Sequence, residues 1–186
     1  MEDSKIIELY WARKKSAITE TASKYGGLCR SIAFNILGSP EDSEECVNDT
    51  WLGAWNTIPP PRPVRLSAYL GKITRSLSFD RWRAGRTAKR GGGETALVLE
   101  ELAECVSGRE TAEDSFTRHE LISAINGFLS SLPQTKRDLF LLRYWYVRPV
   151  GELAERFGMT PDNVSVTLSR LRRKLRDDLT KRGFDL

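Results

Sequence analysis

The stretch from Pro149 to Arg176 constrains this chain more than any other, because it meets together the several demands of two helices crossing at a tight turn. Ala154 is small where the helices must approach, and Gly158 follows four residues later, where the turn needs positive φ. Leu153, Phe157, Met159 and Val164 supply a shared apolar interior. Thr160 can cap the second helix, Pro161 suits its first position, and Val164, Leu168, Leu171 and Leu175 recur as a helical stripe. At about 100° per residue that stripe fixes the opposite face, which carries Asp162, Val166, Ser169, Arg170 and Arg173, with Asn163 at its margin. These side chains are set to reach base edges in a major groove, and Arg170 is the candidate for a two-pronged guanine contact. Arg172, Lys174 and Arg176 fall at the flanks, where phosphate contact is expected. A plain helical hairpin with a solvated basic face is the alternative, but it does not call for the alanine, the glycine and the apolar positions together.

Charge is distributed in blocks. From Ser31 to Pro61 there is no lysine or arginine, while Glu41, Asp42, Glu44, Glu45 and Asp49 lie there. Arg62 to Arg90 then holds nine basic residues and one acid, Asp80, and residues 94–114 reverse the sign with seven acids against Arg109. From Arg170 onward the chain is basic again. The net charge of +4 hides this alternation, which points to separate surfaces for a protein partner and for nucleic acid.

Helical periodicity runs through most of the chain and strand signals are nearly absent, so the expected fold is all-α. A first helix starts after Asp3 or Ser4, and a longer one through Tyr25, Leu28, Ile32, Phe34 and Leu37 ends at Gly38. Ser39, Pro40 and Glu41 open a helix to about Thr57, with Val47, Trp51, Leu52 and Trp55 as its apolar positions. Ile58 to Pro63 contains four prolines and reads as a stiff loop. A helix from about Ser67 to Trp82 follows, with Leu66, Leu70, Ile73 and Leu77 inward. Periodicity fails at Gly85, and the triple glycine 91–93 with its acidic sequel reads as a linker, interrupted at most by a helical turn from Ala96 to Glu104. Helix resumes near Ser115, breaks at Pro133, and continues from Lys136 to Tyr146. The expected organisation is two small helical domains, 1–84 and 115–186, joined by a flexible linker over 85–114.

Other function classes find little support. Cys29, Cys46 and Cys105 are odd in number and widely spaced, and His119 is the only histidine, so neither a metal site nor a catalytic cysteine is expected and the thiols read as reduced and partly buried. There is no phosphate-cradling glycine loop before a helix, no carboxylate cluster and no histidine dyad, so the chain reads as no enzyme and as needing no cofactor. Without a signal peptide or an apolar run near 18 residues, the expectation is a soluble, cytoplasmic protein with no membrane insertion.

Two further surfaces stand out. On the helix after the proline loop, Lys72, Arg75, Phe79 and Trp82 share the face opposite the leucines; cations interleaved with aromatics suit unpaired bases, unless Phe79 and Trp82 simply cover a neighbouring helix. Trp51 and Trp55 read as core. The acids after Ser39 favour a helix start. Asn48, Asp49 and Thr50 lie a turn further in and form a candidate polar patch for a protein partner.

In this order and separation the segments resemble a sigma-70 family initiation factor of the extracytoplasmic-function class. Its region 2 is matched by Ile36 to Trp55, Ala68 to Arg75 and Asp80 to Arg83, and region 4 by Ser131-Leu132-Pro133, Arg143-Tyr144-Trp145-Tyr146 and the helix-turn-helix. The resemblance implies a protein that binds core RNA polymerase, directs it to promoters and helps melt them. Asp42, Glu45, Asn48, Asp49 and Thr50 would then dock on the clamp helices of the largest polymerase subunit, with the flap of the second largest as a further contact. Arg62, Arg65, Lys72, Arg75, Ser76, Phe79, Trp82 and Arg83 would capture minus 10 bases as a single strand. Asp162, Asn163, Val166, Ser169, Arg170, Arg172, Arg173 and Lys174 would serve the minus 35 duplex. The linker would thread through polymerase, and an anti-sigma factor is a partner the family admits. The chain departs from the family pattern at Ser76, where asparagine is frequent, and at Ser165-Val166-Thr167, where basic residues often begin the recognition helix. A stand-alone helix-turn-helix regulator is the competing reading; it accounts for residues 115–182 and leaves the proline loop, the acidic helix and the first basic block without a role.

Overall fold

The computed structural model describes residues 1–86, 93–103 and 114–184, and among these all regular structure is helical. The chain divides into two compact units, Met1–Gly91 and Gly92–Leu186.

The first unit is built of α1 (Asp3–Trp11), α2 (Ser16–Leu37), α3 (Pro40–Thr57) and α4 (Leu66–Arg86). Its helix ends are written locally. Gly38 takes the left-handed conformation, φ 68°, that closes α2, and the Ser39 hydroxyl accepts from the Asp42 amide to open α3 with Pro40 in its first turn. Ile6, Ile7, Tyr10, Ala17, Cys29, Ala33, Val47, Trp51, Ile58, Leu66 and Leu70 form the core, with Trp55 packed at its edge. Leu52 is exposed, one position round the helix from the stripe it was expected to join.

The seam between α3 and α4 departs from the leucine pattern. Its buried residues include Ser43, Cys46, Thr50, Thr74 and Ser78, while Ile73 and Leu77 are only partly buried. The hydroxyls become compatible with burial by donating to their own helices four residues back: Thr50 to the Cys46 carbonyl at 2.8 Å, Thr74 to that of Leu70 at 2.9 Å and Ser78 to that of Thr74 at 2.7 Å. Thr50 and Thr74 also meet each other at 3.1 Å. Burial raises the Cys29 and Cys46 thiols above their ordinary range, which favours the protonated form of both.

The second unit comprises α5 (Gly93–Ala103), α6 (Asp114–Ser131), α7 (Gln134–Tyr144), α8 (Val150–Phe157) and α9 (Pro161–Lys181). The helix α5 falls inside the expected linker and is more than a single turn; the unit to which it belongs begins at Gly92 rather than at residue 115. Of the other expected linker positions, 85 and 86 end α4, 114 opens α6, and 87–92 and 104–113 lie outside the described residues. Among the described residues no helix is long and apolar enough to cross a membrane.

Candidate nucleic-acid and protein interfaces

The turn between α8 and α9 is held by the residues that demanded it. Gly158 closes α8 in the left-handed region at φ 62°, where a side chain would be strained, and Thr160 Oγ1 accepts from the Asn163 amide to cap α9. Val164, Leu168, Leu171, Leu175 and Leu179 are buried along one side of α9. Burial of each such side chain stabilises by about 1.5–3 kcal/mol, so this stripe fixes the rotation of the helix. The opposite side then faces solvent: Asp162, Asn163, Val166, Ser169, Arg170, Arg173 and Lys174 are all exposed.

Arg172 does not share that exposed face, which corrects its expected place among the phosphate contacts. It lies on the inner margin of α9, its side chain 15% exposed, and donates from Nη1 to the Tyr144 hydroxyl at 2.7 Å and to Glu101 Oε2 at 3.3 Å. Glu101, from α5, is the centre of a polar cluster. It also accepts from Arg143 Nη2 at 2.7 Å and from the Tyr144 hydroxyl at 2.8 Å. Arg143 is fully buried and pairs in addition with Glu94 and with the Arg148 carbonyl. Burial alone disfavours the Glu101 charge, but the donors from Arg143 and Tyr144 prevail and hold its carboxyl below the usual range. Burial pushes the Tyr144 phenol upward. Glu94 and Glu101 were legible only as members of an acidic block.

In the first unit the expected single-strand surface separates into outer and inner parts. Arg62, Arg65, Lys72, Ser76 and Arg83 are exposed. Phe79 is not, being 9% exposed. Arg75 lies over the Phe79 ring at 4.6 Å and Trp82 meets its edge at 6.4 Å, both half-buried. Burial lowers the Arg75 guanidinium to about 10, which leaves it charged at neutral pH. Trp11, at the end of α1, was not singled out in the sequence; the Arg62 guanidinium stacks on it at 4.4 Å, anchoring the proline loop to α1.

Four of the five residues expected on the acidic face of α3 lie at the surface. Asp42, Glu45, Asn48 and Asp49 are exposed, at spacings that place them along one side. Thr50 is fully buried in the seam with Thr74 and cannot belong to that patch. Arg81 of α4, not itself predicted, reaches across to Glu45 Oε2 at 2.7 Å, Asp49 Oδ2 at 3.4 Å and the Asp42 carbonyl at 3.3 Å. Thr50→Val is therefore expected to lower stability by about 1 kcal/mol, seen as a fall of several degrees in a thermal melt, without changing protein-partner affinity. Loss of partner binding at an unchanged melting temperature would return Thr50 to the surface.

Comparison with known proteins follows these two units. The model described as Sigma-70 region 2 matches residues 21–87, and the one described as Sigma-70, region 4 matches residues 123–175, together well over half of the chain. The chain is similar to the probable RNA polymerase sigma factor RfaY of Xanthomonas campestris pv. campestris, 28% identical over 156 residues, which are 83% of this chain and 38% of that protein. It is also similar to the RNA polymerase sigma-E factor of Streptomyces coelicolor, 25% identical over 166 residues, 88% of this chain and 85% of that protein. A solved structure described as CnrH in complex with the cytosolic domain of CnrY aligns over 98% of this chain and 99% of that chain at 18% identity, with a TM-score of 0.44.

Proposed function

Since the chain belongs to the sigma-70 family of RNA polymerase sigma factors, in its extracytoplasmic-function class, we propose that it is a non-enzymatic subunit that binds core polymerase in the cytoplasm, directs it to promoters and helps open them. The observation that carries this reading over a stand-alone regulator is the region 2 match on residues 21–87, whose α3 and α4 present an acidic and a basic face side by side. A regulator that binds an operator alone has no use for either.

The roles follow from the chemistry of each face. The exposed carboxylates of α3 dock on a basic helix pair of the polymerase clamp. Arg62, Arg65, Lys72 and Arg83 track the backbone of the minus 10 strand, while Arg75, backed by Phe79, offers a guanidinium plane and Trp82 an edge to unstacked bases. The outer side of α9 enters the major groove at minus 35. Phosphate neutralisation by the exposed cations supplies affinity that falls with salt, and contacts to base edges supply promoter choice. An anti-sigma protein would inhibit by covering these faces.

Run-off transcription from a library of promoter fragments, with core polymerase in the presence and absence of the purified chain, tests this reading. Transcripts that appear only on its addition are the expected result. Operator binding without polymerase, and no new transcript from a competent core, would put the regulator reading in its place.

A further inference from the structure

The run Trp11-Ala12-Arg13-Lys14-Lys15, where α1 gives way to α2, has no part in the roles assigned above. It sets an aromatic residue beside three successive cations, and all five residues are exposed. Helix α1 lies before the segment 21–87 that matches Sigma-70 region 2, so the family match does not cover this run. Its place is fixed by contacts to α3. Arg13 takes a left-handed backbone, φ 52°, uncommon outside glycine, and its guanidinium donates from Nη1 to the Trp55 carbonyl at 2.6 Å while lying over the Trp55 ring at 5.4 Å. Trp55 stands near the end of α3, just before the proline loop. The turn is therefore moored where the loop begins, and Trp11 lies under the Arg62 guanidinium, 4.4 Å from its ring centre.

Trp11 is 39% exposed, against 7% for the core residue Trp51. Arg62, which meets its ring, is exposed as well, and a cation–aromatic contact stabilises only weakly when water reaches both partners. An unpaired base stacked on an indole is held more firmly, and every base has a face to offer. Once displaced from the ring, the Arg62 guanidinium can pair with the phosphate of the incoming nucleotide, so the exchange leaves no charge without a partner. Arg13, Lys14 and Lys15 on the turn and Arg65 on the loop are further exposed cations, and no acid occurs from Trp11 to Thr19. That field favours a polyanion. An acidic peptide could use the cations but has no use for the ring; an unpaired nucleotide uses both.

We propose that Trp11 is a base-stacking residue: when the minus 10 strand is single, one of its unpaired bases takes the place of Arg62 over the indole, and the basic turn from Arg13 to Lys15 holds the phosphates beside it. The proposal rests on the sigma-factor reading above and adds to it a site on α1, apart from the loop and α4 residues assigned there. In the free chain Arg62 fills the position of the base and ties the loop to α1.

The test uses holoenzyme made with wild type, Trp11→Leu or Trp11→Phe. The probes are single strands carrying the minus 10 sequence of a responsive promoter, intact or with one nucleotide at a time made abasic. Trp11→Leu should lower affinity for the intact strand about five- to fiftyfold, and Trp11→Phe, which keeps a ring, should stay within about threefold. At one position the abasic strand should cost wild type that same factor and cost Trp11→Leu nothing further, because base and ring are lost as one interaction. If Trp11 only anchors the loop, the two losses multiply at every position, and that result overturns the proposal. Full strand affinity in Trp11→Leu overturns it as well and leaves the basic turn to another anionic partner. Photo-crosslinking of wild type guards against a leucine variant that misfolds: with bromouracil walked along the strand, irradiation should join one position to Trp11, and adducts confined to the proline loop or α4 sink the proposal. If wild-type holoenzyme binds the minus 10 strand no more tightly than a scrambled one, the sigma-factor reading fails, whereas tight binding that ignores Trp11 spares that reading and removes only the base site.

Discussion

Replacing Arg170 by alanine will lower transcription from the chain's own promoter by at least about fivefold, up to about a hundredfold, while polymerase binding stays as it was. The magnitude is that of a two-pronged arginine contact to guanine, about 1–3 kcal/mol of discrimination against the wrong base. The separation of effects follows from where the residue sits. Arg170 is exposed on α9, whose rotation is fixed by Val164, Leu168, Leu171, Leu175 and Leu179 on the other side, so its removal opens no cavity and frees no buried partner. Arg173→Ala, if that side chain meets phosphate, will instead weaken binding to all duplexes alike and flatten the salt dependence by about one ion. Run-off transcription on wild-type and base-substituted minus 35 elements reads the first effect, and a polymerase pull-down reads the control. Equal loss in both assays for Arg170→Ala would remove it from base reading.

Much of this arrangement could be read from the residues because it is local. Ser39-Pro40, Gly38, Gly158 and Thr160-Pro161 fix helix ends through bonds to their near neighbours, and the leucine stripe of α9 repeats at a single period. The α3–α4 seam is different. Its contacts are made by small hydroxyl residues that look polar in a sequence, and only their bonds four residues back render them fit for a core. That is why Thr50 read as surface and why the inward side of α4 was placed on Ile73 and Leu77, leaving Phe79 outside. Phe79 is buried all the same, with Arg75 over its ring and Trp82 at its edge, one turn before and just after it on α4.

Charge told a similar half of the story. The acidic block from Glu94 was visible as a sign, and a sign is compatible with a solvated linker. What made it a docked helix is the matching of Glu94 and Glu101, two turns apart on one helical face, to Arg143 and Arg172 on two other helices. Pairing of that sort depends on tertiary placement, as does the reach of Arg81 to Glu45 and Asp49. Arg172 shows the consequence most plainly: two residues on from Arg170, it turns to the side of α9 that holds Leu168 and Leu175, and a carboxylate delivered by α5 is what lets an arginine stay there.

The acidic face of α3 yields the largest expected loss of partner binding. Asp49→Lys will reduce affinity for core polymerase by two to three orders of magnitude and leave the fold nearly untouched. The Asp49 side chain is about half exposed, and its pairing with Arg81 at 3.4 Å is a surface interaction of the kind that contributes at most about 1 kcal/mol. A lysine there breaks that pair and sets a cation beside Arg81, but both side chains have solvent to turn into. At the interface there is no such escape. The partner surface is basic if the α3 carboxylates recognise it, and a like charge pressed against it costs several kcal/mol. Asp49→Asn, which removes attraction without adding repulsion, should lose far less, and Arg81→Ala, which releases Glu45 and Asp49 toward the partner, should keep or improve binding. Surface plasmon resonance against immobilised core polymerase at two ionic strengths separates these outcomes. Wild-type affinity in Asp49→Lys would move polymerase recognition off this face altogether, and a lysine effect matched by a falling melting temperature would reassign the residue to the fold.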